Sequence, residues 1–132
     1  VLYRSDDGGV TWTQLDSPYR GSFFGVTTTS TGRVIAFAML GNVAVSDDNG
    51  ATWRMVPTGT DKSFMSATIS SGGAVVLAGL DGAIAVSRDG GDSFELMSQP
   101  DRRKIARLLQ KRDGTWLSFG EGGARSVDLA IK

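Results

Sequence analysis

The sequence contains no cysteine and no histidine. Their absence excludes thiol nucleophiles, imidazole bases, disulfide bonds and most transition-metal sites. No apolar run approaches the ~20 residues of a membrane-spanning helix, and residues 1–20 lack the layout of a signal peptide. Basic and acidic residues number 14 each, so no net charge draws the chain to nucleic acid or to an acidic membrane surface.

Proline is also scarce, at 3 residues, whereas glycine accounts for 18 of 132. Many glycines with few prolines are typical of short strands joined by tight turns. The hydrophobic content of 40% and charged content of 21% are those of a soluble globular protein. Because the chain opens on strand-like residues 1–4, we interpret it as a truncated or processed product from which any signal peptide has been removed.

An internal repeat organises the chain. The segments SDDGGVTW, SDDNGATW and SRDGGDSF begin at Ser5, Ser46 and Ser87, at a constant step of 41 residues. Within each period, apolar runs and glycine-containing turns predict four short strands, which is the size of one propeller blade. The sequence therefore predicts an all-β fold, a β-propeller fragment of about three four-stranded blades. We expect a single segment divided into a blade part at 1–16 and blades at 22–57, 63–98 and 104–132.

One segment conflicts locally with this prediction. Residues 102–112, RRKIARLLQKR, consist of strong helix formers with apolar residues at helical spacing. The repeat places the same residues on the first strand of a blade, and tertiary context commonly overrides local propensity. We therefore predict a strand, with Ile105 and Arg107 on one face and Ala106 and Leu108 on the other.

The repeated segments predict turns in which side chains satisfy the backbone. An aspartate can accept hydrogen bonds from its own turn, glycine supplies the positive φ, and the final aromatic residue packs onto the blade. The predicted structural positions are Ser5, Asp7, Gly9, Thr11, Trp12; Ser46, Asp48, Gly50, Thr52, Trp53; and Ser87, Asp89, Gly91, Ser93, Phe94. As an alternative, Asp6, Asp7, Asp47 and Asp48 could bind calcium, but the ligand-rich loop and distal Glu of a calcium hand are missing. We predict no metal site and no cofactor.

The pattern Ser-x-Asp-x-Gly-x-Thr-Trp resembles the Asp-box, or bacterial neuraminidase (BNR) repeat, of sialidases, other glycosidases, sorting receptors and photosystem-assembly-factor-like proteins. In these proteins the boxes usually lie on peripheral turns away from the active site. Sialidases use an arginine triad, a Tyr–Glu pair and an Arg-Ile-Pro segment, and the last is missing here. The glutamates are Glu95 and Glu121, and Glu95 falls on an outermost strand. We predict no catalytic residue and no enzyme activity in this chain.

The closing run of residues 114–125, GTWLSFGEGGAR, resembles the last blade of bacterial photosystem-II-assembly-factor-like BNR proteins. That resemblance implies an exported propeller, typically of seven blades, which acts as an assembly chaperone in phototrophs. In the fourth period Asp128 stands where a box serine is expected, and we interpret this as the natural C-terminus, reached on a third strand. We expect the unpaired edges to be covered by remaining blades of the same propeller or by a second copy.

A basic run holds six of the 14 cationic residues: Arg102, Arg103, Lys104, Arg107, Lys111 and Arg112. Such runs are commonly solvated faces. The alternative is a partner-binding surface, because first strands line the channel of a propeller. Trp116 could flank that surface, although a core position is expected for it. Nucleic-acid binding lacks an interleaved aromatic platform, so we predict no nucleic-acid partner.

Three functions remain open from the sequence. The leading hypothesis is a non-catalytic, periplasmic or secreted scaffold that acts as an assembly or accessory factor through an unidentified protein partner. The second is part of a sialidase-like or other glycosidase propeller whose catalytic residues lie outside this chain. The third is a purely structural fragment.

Overall fold

The computed structural model describes all residues, 1–132, and consists of thirteen short β-strands. The strands are β1 Leu2–Arg4, β2 Thr13–Leu15, β3 Phe23–Thr28, β4 Val34–Ala38, β5 Val43–Ser46, β6 Arg54–Val56, β7 Phe64–Ile69, β8 Val75–Gly79, β9 Ile84–Ser87, β10 Glu95–Leu96, β11 Ile105–Gln110, β12 Trp116–Gly120 and β13 Gly123–Val127. Two single 3₁₀ turns, Met39–Gly41 and Leu80–Gly82, complete the regular structure. No helix has the length and apolar character needed to cross a bilayer.

The strands form four separate antiparallel sheets, in which neighbours in sequence are neighbours in space. We call them blade 1 (β1–β2), blade 2 (β3–β6), blade 3 (β7–β10) and blade 4 (β11–β13). The first strands β3, β7 and β11 pack side by side, so they form the inner edge of the assembly. Four-stranded meanders arranged around an inner edge are the architecture of a β-propeller.

The core lies between the blades. Along β4, Ile35 and Phe37 join the cluster shared with blade 3, and along β8, Val75 and Leu77 point back into that same cluster. The alternate residues of β8 belong to a second cluster shared with blade 4. Because both faces of β8 are covered, its sequence is a continuous apolar run, as expected for a strand buried on both sides.

The hairpins between second and third strands need two consecutive residues with positive φ. In blade 3 these are Asp81 (φ 59°) and Gly82 (φ 68°), as the Asp-Gly pair predicts. In blade 2 the same positions are Leu40 (φ 57°) and Gly41 (φ 72°). Leucine is a poor residue for this conformation, so the blade 2 hairpin is locally strained.

The basic segment forms a strand, as the repeat predicts: residues 105–110 are β11. The predicted side-chain directions were wrong. Ile105 and Leu108 are both 1% exposed and lie in the same core. A β-bulge shifts the register between Ile105 and Arg107, so Ala106 is extruded from the pairing. The alternation of side chains between the two faces of the strand is therefore displaced by one residue.

The end of the chain departs from the 41-residue repeat. In blade 3, Gly79 donates a hydrogen bond to Ala83 across the hairpin, whereas in blade 4 the corresponding Gly120 pairs with Gly123. The blade 4 hairpin is therefore one residue shorter, and Val127 rather than Asp128 takes the place of the box serine. Residues 128–132 form no strand after β13.

Candidate functional site

The Asp-box of blade 2 is a closed hydrogen-bonded turn. The Gly50 amide donates to Ser46 Oγ at 2.8 Å, and the Thr52 amide donates to Asp48 Oδ1 at 2.8 Å. The hydroxyls of Ser46 and Thr52 also donate to the Asp48 carboxylate. The indole N–H of Trp53 donates to the Gly50 carbonyl at 2.9 Å. The side chains of Ser46, Asp48, Thr52 and Trp53 thus all form hydrogen bonds inside the turn, as a structural motif requires.

The other two boxes repeat this geometry. The Gly9 amide donates to Ser5 Oγ at 2.8 Å, and the Gly91 amide donates to Ser87 Oγ at 2.7 Å. Hydrogen bonds from the hydroxyls of Thr11, Thr52 and Ser93 are the largest cause that lowers the pKa of Asp7, Asp48 and Asp89 to about 2. The side chain of Phe94 in the third box has no N–H, so that box lacks the indole bond. The predicted box positions therefore act together in each turn.

The metal alternative finds no geometric support in the boxes, because their aspartates already accept bonds from their own turns. Asp6 lies beside Arg4, with a 3.1 Å ion pair, and Asp47 lies 2.6 Å from Arg33. No group of three or more acidic side chains is placed to hold a metal ion. The prediction that the protein binds no metal stays a prediction and is tested below.

The second and third boxes also pack against the blade before them. A Cβ added to Gly50 would lie 2.8 Å from Leu15 Cδ1 of blade 1, and one added to Gly91 would lie 2.9 Å from Ile35 Cδ1 of blade 2. Glycine is therefore required by close packing as well as by its positive φ. Trp12 of the first box is 62% exposed.

An arginine of the preceding blade binds a box carbonyl at each junction. Arg4 Nη1 donates to the Asn49 carbonyl at 2.9 Å, and Arg33 Nη1 donates to the Gly90 carbonyl at 3.2 Å. Asn49 and Gly90 occupy the same box position, 41 residues apart. The two arginines do not occupy equivalent positions in their blades. Arg4 is the last residue of β1, whereas Arg33 directly precedes β4. They reach the same acceptor from different places in the blade.

The third junction has the same contact without a box. Arg88 Nη2 donates to the Ala130 carbonyl at 3.0 Å. With the hairpin shortened by one residue, Ala130 takes the position of Gly90 and Ile131 that of Gly91. Ile131 is 4% exposed in the core between blades 3 and 4, and its carbonyl accepts the Trp116 indole N–H at 3.2 Å. The terminal segment thus covers blade 3 where a box would otherwise lie, and Trp116 is a core residue.

The structure does not bring the six basic residues together, although all six are exposed. Arg102, Arg103 and Lys104 precede β11, Arg107 lies within it, and Lys111 and Arg112 follow it at the opposite end. Six strand residues separate the two groups by ~20 Å. Arg102 is paired with Asp81 at 2.8 Å and Lys111 with Asp113 at 3.6 Å.

Bulges recur at one register on the inner edge. The pairing of first with second strand shifts between Phe23 and Gly25, between Phe64 and Ser66, and between Ile105 and Arg107. The extruded residues, which we call the bulge row, are Phe24, Met65 and Ala106. Phe24 is 45% exposed and Met65 40% exposed. Bulges commonly re-aim a side chain at a functional surface, and the 41-residue spacing of the bulge row was the signal available in the sequence.

The two glutamates of this chain lie in different blades. Glu95 lies on the outermost strand β10 and pairs with Arg88 at 2.9 Å. Glu121 lies in the β12–β13 hairpin and accepts the Lys104 amide at 3.1 Å. Tyr19 packs edge-on against Phe23 with ring centroids 5.8 Å apart. No tyrosine–glutamate pair of the sialidase kind is formed among these residues.

Comparison with protein-family models gives the BNR/Asp-box repeat, matched at residues 3–14 and 44–55. These two segments of the chain carry the BNR/Asp-box repeat. The matched residues include the first two boxes and parts of the strands on either side of them. The third box, with Ser93 and Phe94 in place of Thr and Trp, lies outside the matched ranges. A search of curated protein sequences found no match.

Solved structures similar to this chain include YCF48 bound to D1 peptide, with a TM-score of 0.74 and 20% identity over 92% of this chain. Selenomethionine-substituted virginiamycin B lyase from Staphylococcus aureus has a TM-score of 0.69 and 14% identity, also over 92% of this chain. The chain spans 41% and 46% of these two proteins, respectively. At such identities the likeness establishes the fold: an all-β propeller segment.

Proposed function

We propose that this chain is part of a non-catalytic β-propeller scaffold, an assembly or accessory factor that acts outside the cytoplasm by binding another protein. Its structural similarity to YCF48, a photosystem II assembly factor observed with a bound peptide, supports this function. The commitment of all three box aspartates to their own turns supports a structural role for the repeat.

The observation that carries the proposal is the bulge row beside unpaired cations. Three blades each present an extruded side chain at one register, and two of these are exposed apolar groups, Phe24 and Met65. Arg103, Lys104 and Arg107 lie within three residues of Ala106 in the third blade, are exposed, and form no salt bridge. The exposed apolar groups of blades 2 and 3 and the unpaired cations of blade 4 lie on or beside first strands that pack side by side. This combination favours a peptide that has both apolar and acidic residues.

Only three of the six basic residues predicted from the sequence belong to the proposed partner site. Arg103, Lys104 and Arg107 belong to the proposed partner site together with the bulge row. Arg102 is held by Asp81, and Lys111 and Arg112 lie at the opposite end of β11. We propose a solvated surface for these last two, as charge runs commonly have.

A binding assay tests the function. The probes are a D1 peptide and an array of peptides that combine acidic and apolar residues, measured by fluorescence polarisation. Binding is expected to weaken at least tenfold in Lys104→Glu and in Met65→Asp, and to weaken with added salt. Arg112→Glu, also exposed but at the opposite end of β11 from the proposed site, is the matched control. Equal loss in the control, or no binding by any peptide, would contradict the proposal.

The extracytoplasmic location is a separate part of the proposal, supported by the exported location of propeller assembly factors. Fractionation of the source cells with an antibody to this chain tests it, and recovery from the cytoplasm alone would contradict it.

A carbohydrate-active or lyase propeller is the second candidate, favoured by the similarity to virginiamycin B lyase. Turnover of sialosides, other glycosides or virginiamycin B by this chain would establish it over the scaffold.

A further inference from the structure

Asn49 and Gly50 form the only Asn-Gly pair of the sequence, and they lie inside the Asp-box of blade 2. Asn49 is exposed, and its backbone carbonyl accepts a hydrogen bond from Arg4, whereas its side-chain amide has no partner. We propose that Asn49 is a site of spontaneous deamidation that the folded box holds closed, so that the reaction proceeds only when the box opens.

The reaction needs only these two residues and water. A bond forms between the Gly50 backbone nitrogen and Asn49 Cγ, the bond from Cγ to Nδ2 breaks, and ammonia leaves with the proton of the Gly50 amide. Water then opens the cyclic succinimide and leaves aspartate or isoaspartate at position 49. Glycine favours the attack because it has no Cβ to hinder the approach. Isoaspartate lengthens the backbone of the turn, so a box modified in this way does not close again.

The peptide plane between Asn49 and Gly50 is held at both ends. Its N–H donates to Ser46 Oγ at 2.8 Å, and its C=O accepts from Arg4 Nη1 at 2.9 Å. In the left-handed conformation of Asn49 (φ 56°) the Gly50 nitrogen points away from Cβ, so ring closure requires the plane to turn and both bonds to break. Gly50 is buried against Leu15 of blade 1, which further restricts this movement. The intact box therefore protects a side chain that is itself open to solvent.

The other boxes supply a natural replacement for the modifiable residue. Gly8 and Gly90 occupy the position of Asn49 in the first and third boxes, each with φ 72°. Glycine thus satisfies the turn, and Asn49→Gly is expected to keep the box while removing the reactive amide. The other asparagine of the chain, Asn42, donates to a backbone carbonyl at 3.1 Å and precedes the β-branched Val43. It is an internal reference that is expected to stay unmodified.

Incubation of the complete chain at mildly alkaline pH tests the proposal. Peptide mass spectrometry follows conversion at Asn49, and an isoaspartate-specific methyltransferase detects the isomerised product. The folded chain is expected to react at least ~10-fold more slowly than the urea-unfolded chain, and Ser46→Ala is expected to accelerate the folded reaction by ~10-fold. The matched control is Ser87→Ala, which removes the equivalent bond to the Gly91 amide in the third box and should leave the rate at Asn49 unchanged.

A second pair of variants keeps the test decisive if Ser46→Ala does not fold. Thr52→Val removes an exposed hydroxyl that closes the same box and is expected to accelerate the reaction, whereas Thr11→Val, its equivalent in the first box, is not. Equal rates in the folded and unfolded chain would overturn the proposal. So would equal acceleration by Ser87→Ala, which would mean that global unfolding rather than opening of this box exposes Asn49.

Discussion

Arg33 Nη1 lies 2.7 Å from Asp92 Oδ1 across the junction between blades 2 and 3. The same guanidinium lies 2.6 Å from Asp47 of its own blade and donates to the Gly90 carbonyl. Arg54 also pairs with Asp92. These contacts raise the pKa of Arg33, through Asp47 first and Asp92 second, and lower that of Asp92. One arginine thus connects the box of its own blade to the box of the next.

The Arg33 contacts predict that Arg33→Lys weakens the junction although the charge is kept. A lysine has one ammonium group and no planar fork, so it cannot satisfy two carboxylates and a carbonyl at once. The free energy of unfolding is expected to fall by about 1–2 kcal/mol, as measured by urea denaturation. Arg20→Lys is the control, and an equal change in both variants would show that the junction geometry is unimportant.

The box aspartates predict loss of stability in acid. The pKa of Asp7, Asp48 and Asp89 is about 2 in the folded chain against 3.8 for an ordinary aspartate. Because the folded values are lower, their contribution is complete above pH 3.8 and is lost as the pH falls through about 2. The Asp48→Asn variant should be less stable than the wild type at pH 7. Its free energy of unfolding should also fall less between pH 4 and pH 2. Urea unfolding at several pH values measures this, with Asp16→Asn, an exposed residue outside the boxes, expected to follow the wild type.

The two complete boxes predict unequal effects of tryptophan removal. Trp53 is half-buried beside Leu15 and Gly50, whereas Trp12 is 62% exposed. Trp53→Ala is expected to cost about 2–4 kcal/mol through lost packing, and Trp12→Ala substantially less. Thermal or urea unfolding of both variants makes the comparison. Similar losses in the two variants would mean that the indole hydrogen bond inside the box, rather than the burial of the ring, determines how much each tryptophan stabilises the fold.

A structural role for the boxes predicts that calcium leaves stability unchanged. The oxygens of Asp7, Asp48 and Asp89 already accept hydrogen bonds from amides and hydroxyls of their own turns. A metal would have to displace these donors. The melting temperature should be the same with millimolar calcium and with chelator. Stabilisation by calcium that a chelator reverses would establish the metal alternative.

The strained hairpin of blade 2 predicts a stabilising substitution. Leu40 has φ 57° and ψ 34° and is 59% exposed, so its side chain adds little packing. Asparagine tolerates this conformation better, and Leu40→Asn should raise the free energy of unfolding by about 0.5–1 kcal/mol. Leu80→Asn, one position earlier in the next hairpin and without positive φ, should not stabilise. A loss of stability in Leu40→Asn would mean that its side chain has a packing role.

The sequence alone determined the fold and the chemistry of the boxes. A constant 41-residue step places serine, aspartate and glycine at fixed intervals, and the turn that they form depends on neighbours within four residues. Local hydrogen bonds of this kind can be predicted from spacing. The repeat also correctly placed residues 105–110 on a strand, because the register of neighbouring blades outweighs helix propensity.

Tertiary structure alone decided the contacts between blades. Arg4, Arg33 and Arg88 reach equivalent carbonyls from non-equivalent sequence positions, so no periodicity could reveal them. The bulge at Ala106 reverses the expected side-chain directions, and a hairpin shorter by one residue brings Ile131 into a core. The arginine contacts depend on how long side chains fit the space between two sheets, which is fixed only when the blades pack. The bulge and the short hairpin depend on how neighbouring strands pair within blade 4.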